Sequence, residues 1–212
     1  MVDNNDKIIG TMKALTGHYK DHLSLHRAFS LFLVDDDHRL VIQQRSSDKL
    51  VFPSMWANTV CSHPFLNELS FSDPITDAKN HLLKRMEHEL GITEITADEL
   101  KYYGRVLYKA TNDGSFGYMM DGDPCPQKYV EFKCDENQPD IIKKSENFYE
   151  WEVDYIFVCK KNVSIKPNRE EVRNVKSVSE AEFNEMVKNG EVSEWARIIT
   201  EKSDIFKKIK SL

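Results

Sequence analysis

Three groups of residues have the types and spacing to do chemistry. The first is Cys61-Ser62-His63-Pro64. A cysteine two residues from a histidine can serve as a nucleophile or an acid–base group, and it can equally be a small buried hydrophobe. The second is Glu150-Trp151-Glu152. On a strand, alternation places both carboxylates on one face and Trp151 on the other. Two close carboxylates repel unless a cation lies between them or one holds a proton. The pair is therefore a candidate for metal binding or acid–base work; the plain alternative is an exposed polar face. The third group is His18, His22 and His26. Neutral imidazole is a common ligand for transition metals, although any one of the three can simply be solvated. His18 and His22 would share a helix face, with His26 in or near a strand. Arg85 and Glu89 have the i, i+4 spacing of a helix-surface ion pair. Arg45 and Lys49 can hold a phosphate or merely solvate a loop.

The elements that must position these residues can be read from pattern. Residues 28–34 and 39–44 are β-rich runs flanking Asp35-Asp36-Asp37-His38, a hairpin pattern. Residues 53–65 mix Pro, Ser, Asn, Cys and His and read as a loop, which puts Cys61 in a loop. A helix over 73–90 follows. Asp73 suits its N-cap, Pro74 its first position and Gly91 its stop. Ile75, Ala78, Leu82 and Met86 form its apolar stripe. Residues 101–110 and 151–159 read as strands, and the polar stretch Asn112 to Asn147 between them reads as an insertion. Residues 171–178 suggest another strand. Ser179-Glu180-Ala181-Glu182 is a capping-box pattern opening a helix that ends near Gly190. A last helix is expected from about Ser193 to Lys210. No internal repeat is present. This order favours one mixed α/β domain.

Composition narrows the function classes. The chain has 212 residues, 40% hydrophobic and 30% charged, which suits a globular fold with a real core. The net charge of −6 argues against broad binding to nucleic acid, but leaves room for a basic pocket that takes one small phosphate compound. The cysteines, Cys61, Cys125, Cys134 and Cys159, form no C-x-x-C pair. Reduced thiols are the simplest reading, with a Cys125–Cys134 bridge as the alternative. Apolar runs such as Ala28 to Val34 are too short to span a bilayer. Met1 to Lys7 lacks a signal-peptide core, and Lys210-Ser211-Leu212 is not the peroxisomal Ser-Lys-Leu. A cytoplasmic location is expected.

The order of the motifs carries more than any one of them. His26-Arg27-Ala28-Phe29-Ser30 comes first, then Gln43-Gln44-Arg45-Ser46, Phe52-Pro53, and Asn58-Thr59-Val60-Cys61-Ser62-His63-Pro64. His88-Glu89-Leu90-Gly91-Ile92 and Glu150-Trp151-Glu152-Val153-Asp154-Tyr155 complete the set. This series closely resembles the type 1 isopentenyl-diphosphate isomerases, over roughly residues 8–200 apart from the insertion. The resemblance implies a Nudix-like α/β/α sandwich with a mixed sheet, N- and C-terminal additions, and an insertion near 113–148. It implies interconversion of isopentenyl and dimethylallyl diphosphate. Cys61 and Glu152 would be the acid–base pair, on opposite sides of the isoprenyl chain. His18, His26, His63, Glu150 and Glu152 would bind one divalent metal, Zn2+ or Mn2+. Gly10-Thr11 resembles the family's lead-in to the first ligand and favours His18 over His22. Glu89 would help hold a Mg2+ carried by the diphosphate. Arg45, Lys49, Arg85 and the Ser62 backbone would contact the diphosphate. Tyr108 resembles the tyrosine that supports the catalytic glutamate, and Trp195 the tryptophan that faces the reacting carbons. The implied partner is a small isoprenyl diphosphate, with neither nucleic acid nor membrane, on a monomer or homodimer.

The match departs from the family at a few positions. Ala14 stands where a diphosphate-binding Lys is usual, with Lys13 and Lys20 as substitutes. Ser54 follows Pro53 where Gly is usual, and Trp151 replaces a residue that is often His or Asn. The rival reading is a Nudix hydrolase of a small diphosphate compound. It needs several glutamates on the helix to hold metals for water attack. In Lys84-Arg85-Met86-Glu87-His88-Glu89-Leu90-Gly91 only Glu89 keeps the register. A non-catalytic Nudix-like binding module would not need Cys61, Glu152 and three placed histidines together.

Overall fold

The computed structural model describes residues 1–69, 73–111, 114–122 and 147–212. Its frame is set by two almost wholly buried strands, His26–Val34 (β1) and Glu150–Lys160 (β7). They pair in parallel along their whole overlap, from His26 opposite Glu152 to Val34 opposite Lys160. Parallel central strands are buried on both faces, which explains why the stretches Leu31–Val34 and Tyr155–Cys159 are apolar without alternation. Leu40–Arg45 (β2) returns antiparallel beside β1, closing the expected hairpin at Val34 and Leu40. Trp56–Ala57 (β3) and Val172–Val178 (β8) pair with β2, and Val60–Ser62 (β4) pairs with β1. On the other side Lys101–Ala110 (β5) lies antiparallel to β7, and Phe116–Met119 (β6) pairs with β5.

Each face of this mixed sheet is covered by helices. Phe29, Leu31 and Leu33 of β1 and Val153, Tyr155 and Phe157 of β7 pack with Ala78, Leu82, Met86 and Leu90 of Pro74–Leu90 (α2). The alternate residues, among them Phe32, Val34, Ile156 and Val158, pack on Phe183, Ala196, Ile199 and Ile205 from the C-terminal helices. Helix α2 starts as expected: the Asp73 carboxylate accepts from the backbone N–H groups of Ile75 and Thr76, both at 3.0 Å. It stops at Gly91, whose φ of 65° lies in the left-handed region. Helix Glu180–Lys188 (α3) forms as its sequence signal indicates, with its capping box made. The short helix Ala14–His18 (α1) ends at His18, and His22 lies in a separate 3-10 turn, Lys20–His22, so the two histidines do not share the expected helix face.

Three further expectations are corrected. Cys61 lies in strand β4, not in a loop. Asn58 and Thr59 explain the strand's placement: their side chains bridge Leu31, Leu33, Val41 and Val60 and so wedge between β1 and β2. The single last helix is two, Glu194–Lys202 (α4) and Ile205–Ile209 (α5). Ser203 Oγ donates back to Ile199 O, Tyr103 donates to Ser203 O, and Asp204 takes a φ of 51°, so the helical ladder ends there. Within the stretch read as an insertion, residues 116–119 extend the sheet as β6, and Gly117 lies close against Ile198 of α4. Residues 123–146, with Cys125 and Cys134, lie outside the described residues, so the alternative bridge does too. Cys61 and Cys159 are free thiols. No helix among the described residues is long and apolar enough to cross a membrane.

Candidate active site

Sheet register assembles the site around Glu152. In β7 it lies between His26 on β1 and Tyr108 on β5, both direct register partners. Tyr108 donates its phenolic O–H to Glu152 Oε2. Glu152 Oε1 is 2.6 Å from His63 Nε2 and 3.4 Å from His26 Nε2. Glu150, two residues earlier on the same face, has Oε2 3.1 Å from His18 Nε2. Trp151 points to the other face, where Lys109 lies over its ring. All five of His18, His26, His63, Glu150 and Glu152 offer ligand atoms within 4.8 Å of one another. His22 is exposed and outside the cluster.

The hydrogen bonds around this cluster set it up for a cation. His18 Nδ1 and His26 Nδ1 lie 2.6 and 2.7 Å from the carbonyl oxygens of Ala14 and Ser24. A carbonyl only accepts, so each Nδ1 carries the proton, and in the neutral ring Nε2 presents a lone pair inward. Those lone pairs face carboxylates. His18 Nε2 also faces His63 Nε2 at 3.3 Å. Acceptors facing acceptors repel unless protons or a cation lie among them. His26 Nε2 is buried with no hydrogen-bond partner among the described residues, and Glu150 Oε2 has His18 Nε2 beside it. Three nitrogens and two carboxylates form a donor set suited to a divalent transition metal, so the cluster can hold a metal ion.

Burial and mutual charge decide where protons go. Burial pushes Glu150 up to about 7, and the Glu152 charge adds to this. Burial opposes ionisation of Glu152 as well, but His63 and His26 outweigh it and hold the group well below the usual carboxylate range. Burial also resists a charge on His18, yet the Glu150 carboxylate raises it to about 9. His63 falls to about 4 because burial dominates there.

A cavity of about 160 Å³ adjoins the cluster. Cys61, Tyr108, Glu152 and Trp195 line it together with the basic residues Arg45, Lys49 and Arg85 and with Ser62 and Glu89. Cys61 and Glu152 thus share one space with the residues singled out for phosphate, while His18 and His26 lie outside its lining. Neither Lys13 nor Lys20 is in its lining. Trp195 is held from behind, its Nε1 donating to Asn58 Oδ1 at 3.1 Å, with the Arg45 guanidinium 5.1 Å over its ring. Burial pushes the Cys61 thiol up to about 12, against the pull of Arg45. Ser54, at a φ of 64°, occupies a left-handed position, the physical reason glycine suits it.

Several partners were not singled out from sequence. Glu89 accepts from Arg85 and, at 2.8 Å, from Gln43. Glu171 pairs with Lys49 and lies 3.7 Å from Arg85, so a carboxylate sits against two of the cavity's cations. Asp154 continues the acidic row of Glu150 and Glu152 and accepts from Ser30. The i, i+2, i+4 spacing of that row was the one available signal.

No family model matches the chain. Among solved structures, DR0079 from Deinococcus radiodurans is similar over 99% of this chain and 95% of its own, with a TM-score of 0.53 at 13% identity, which shows a shared fold. A Nudix hydrolase from M. Smegmatis, RenU, aligns with 92% of this chain at a TM-score of 0.45. Isopentenyl-diphosphate Delta-isomerase I of Arabidopsis thaliana is 31% identical over 95% of this chain. The chain spans 63% of that relative's length. Isopentenyl-diphosphate Delta-isomerase 1 of Mesocricetus auratus is 33% identical, covering 95% of this chain and 79% of the relative. The chain belongs to the isopentenyl-diphosphate Delta-isomerase family.

Proposed function

We propose that this protein interconverts isopentenyl and dimethylallyl diphosphate on a Nudix-like frame. One observation carries the reading: Cys61 and Glu152 line the same cavity, with Glu152 anchored by Tyr108, His26 and His63. Moving a double bond by one carbon needs a proton delivered at one carbon and removed at another. Two proton carriers on one cavity do this without turning the substrate. Cys61, kept as a thiol by burial, and Glu152, kept ionised, start in complementary states. Protonating an unactivated alkene makes a tertiary cation. The Trp195 ring favours that cation by about 0.5–1 kcal/mol where water reaches it and about 2 kcal/mol or more in a dry site. Water must be kept from the reacting carbons, or it would capture the cation as an alcohol.

Arg45, Lys49, Arg85 and the Ser62 backbone bind the diphosphate, and its remote binding energy holds the short chain in place. Glu89 would help to hold a Mg2+ carried by the diphosphate, beside the bonds it accepts from Arg85 and Gln43. His18, His26, His63, Glu150 and Glu152 would hold a second divalent ion, Zn2+ or Mn2+, whose positive charge would lower the proton affinity of Glu152. Hydrolysis is disfavoured because α2 turns Glu87 to solvent and contributes Glu89 as its one glutamate in the cavity lining.

The test is incubation with isopentenyl diphosphate and Mg2+ in deuterated water, followed by NMR. Dimethylallyl diphosphate carrying deuterium is expected, and Cys61→Ala should abolish it while diphosphate still binds. Phosphate release without isomerisation would overturn the reading in favour of a hydrolase.

A further inference from the structure

Helix α2 carries a buried histidine that the proposed reaction does not use. His81 stands one turn before Arg85 and is 6% exposed. Its Nε2 is 2.8 Å from Ser62 Oγ, and its Nδ1 is 3.1 Å from Glu68 Oε2. Ser62 ends β4, and Glu68 ends the 3-10 turn Leu66–Glu68 that follows His63-Pro64-Phe65. One imidazole therefore ties both ends of the segment 62–68. The Phe65 ring meets His81 edge-on at 5.3 Å, and Phe29 lies at 6.0 Å.

The direction of each bond follows from the partners. Glu68 only accepts, so Nδ1–H donates to it. Burial lowers the proton affinity of His81, which Glu68 opposes and Arg85 and Lys84 reinforce. In the neutral ring Nε2 then accepts from the Ser62 hydroxyl, which ceases to be a free rotor. Ser62 lines the cavity beside Arg45, Lys49 and Arg85, between Cys61 and His63 in sequence.

We propose that His81 is a positioning residue: held by Glu68, it fixes Ser62 and the segment 62–68 before a diphosphate binds. The proposal rests on the reading of that end of the cavity as the diphosphate site. A group already ordered before binding spares the ordering cost, worth roughly three- to tenfold in affinity per immobilised side chain.

The experiment titrates inorganic diphosphate with Mg2+ into the full chain by calorimetry. It compares the unaltered protein with Ser62→Ala, His81→Ala, their combination, His81→Gln and Glu68→Ala. Ser62→Ala and His81→Ala should each weaken binding roughly three- to tenfold. The double variant should bind no more weakly than the weaker single, because His81 acts through Ser62. His81→Gln keeps an acceptor near the place of Nε2 and should recover most of the loss. Fully additive losses, no recovery with Gln, or unchanged binding in His81→Ala would each overturn the proposal. If His81→Ala fails to fold, Glu68→Ala, which removes the acceptor of Nδ1–H, decides: weaker binding supports the clasp and unchanged binding overturns it. No diphosphate binding by the unaltered chain would overturn the diphosphate reading itself, and the proposal with it.

Discussion

Cys61 should react as a thiol that holds its proton far above neutrality. Burial raises it from an ordinary 9.0 to about 12. At pH 8 an ordinary thiol is about one-tenth thiolate, and one at about 12 is roughly 10⁻⁴ thiolate, a thousandfold deficit. The more basic thiolate is a better nucleophile, with a Brønsted slope of about 0.4–0.5, which returns a factor of about 16–32 over that shift. The net expectation is exchange with a small neutral disulfide about 30–60 times slower than for an exposed peptide thiol. The perturbation is a pH series from about 6 to about 10 with hydroxyethyl disulfide, read at Cys61 by peptide-resolved mass spectrometry. Restricted access lowers every rate but does not move the midpoint, so the midpoint decides. The rate should climb about tenfold per pH unit with no plateau. A plateau with its midpoint at or below about 9 would refute the claim that burial holds the proton. It would also remove the basis for treating Cys61 as a donor to an alkene instead of a nucleophile.

Two further outcomes are expected. Loading the imidazole–carboxylate cluster with Zn2+ or Mn2+ near pH 8 should release about one proton, because His18, raised to about 9, is protonated beforehand and must surrender its proton to coordinate. Apparent metal affinity should therefore fall as pH drops below about 9; a binding enthalpy independent of the buffer's ionisation enthalpy would count against this, and His63→Ala should lower bound metal. Leu82→Ala, at a fully buried position in the layer between α2 and the sheet, should cost about 2–5 kcal/mol in denaturant unfolding. A loss below about 1 kcal/mol would mean that α2 is not packed as described.

Much of the frame was legible because local rules and tertiary packing agree. Asp73, Pro74 and Gly91 mark the ends of α2, and the stripe Ala78, Leu82 and Met86 faces the core. Strand β4 was not legible. Its three residues carry no alternating pattern, and their pairing partner on β1 is some thirty residues away. The break at Ser203-Asp204 was missed for a similar reason: the Tyr103 bond that helps to end the ladder comes from a distant strand. From the sequence, Met1 to Lys7 showed only the lack of a signal-peptide core. Asp6 is in fact fully buried, where Arg27, Arg105 and Tyr155 donate to its carboxylate. Nothing near Asp6 in sequence announces partners as far away as Tyr155.

By itself the sequence determined which groups are available and which faces they share. It put Glu150 and Glu152 on one strand face, and Arg85 and Glu89 on one helix face. The ordered motifs pointed to the family that the relatives show. Tertiary structure alone decided that three imidazoles turn their Nε2 atoms toward those carboxylates, because register between β1, β5 and β7 sets His26 and Tyr108 on either side of Glu152. It alone placed His81 between Ser62 and Glu68. Spacing within one element follows from its local geometry. Contact between elements follows from long-range backbone pairing and burial, which no local pattern encodes.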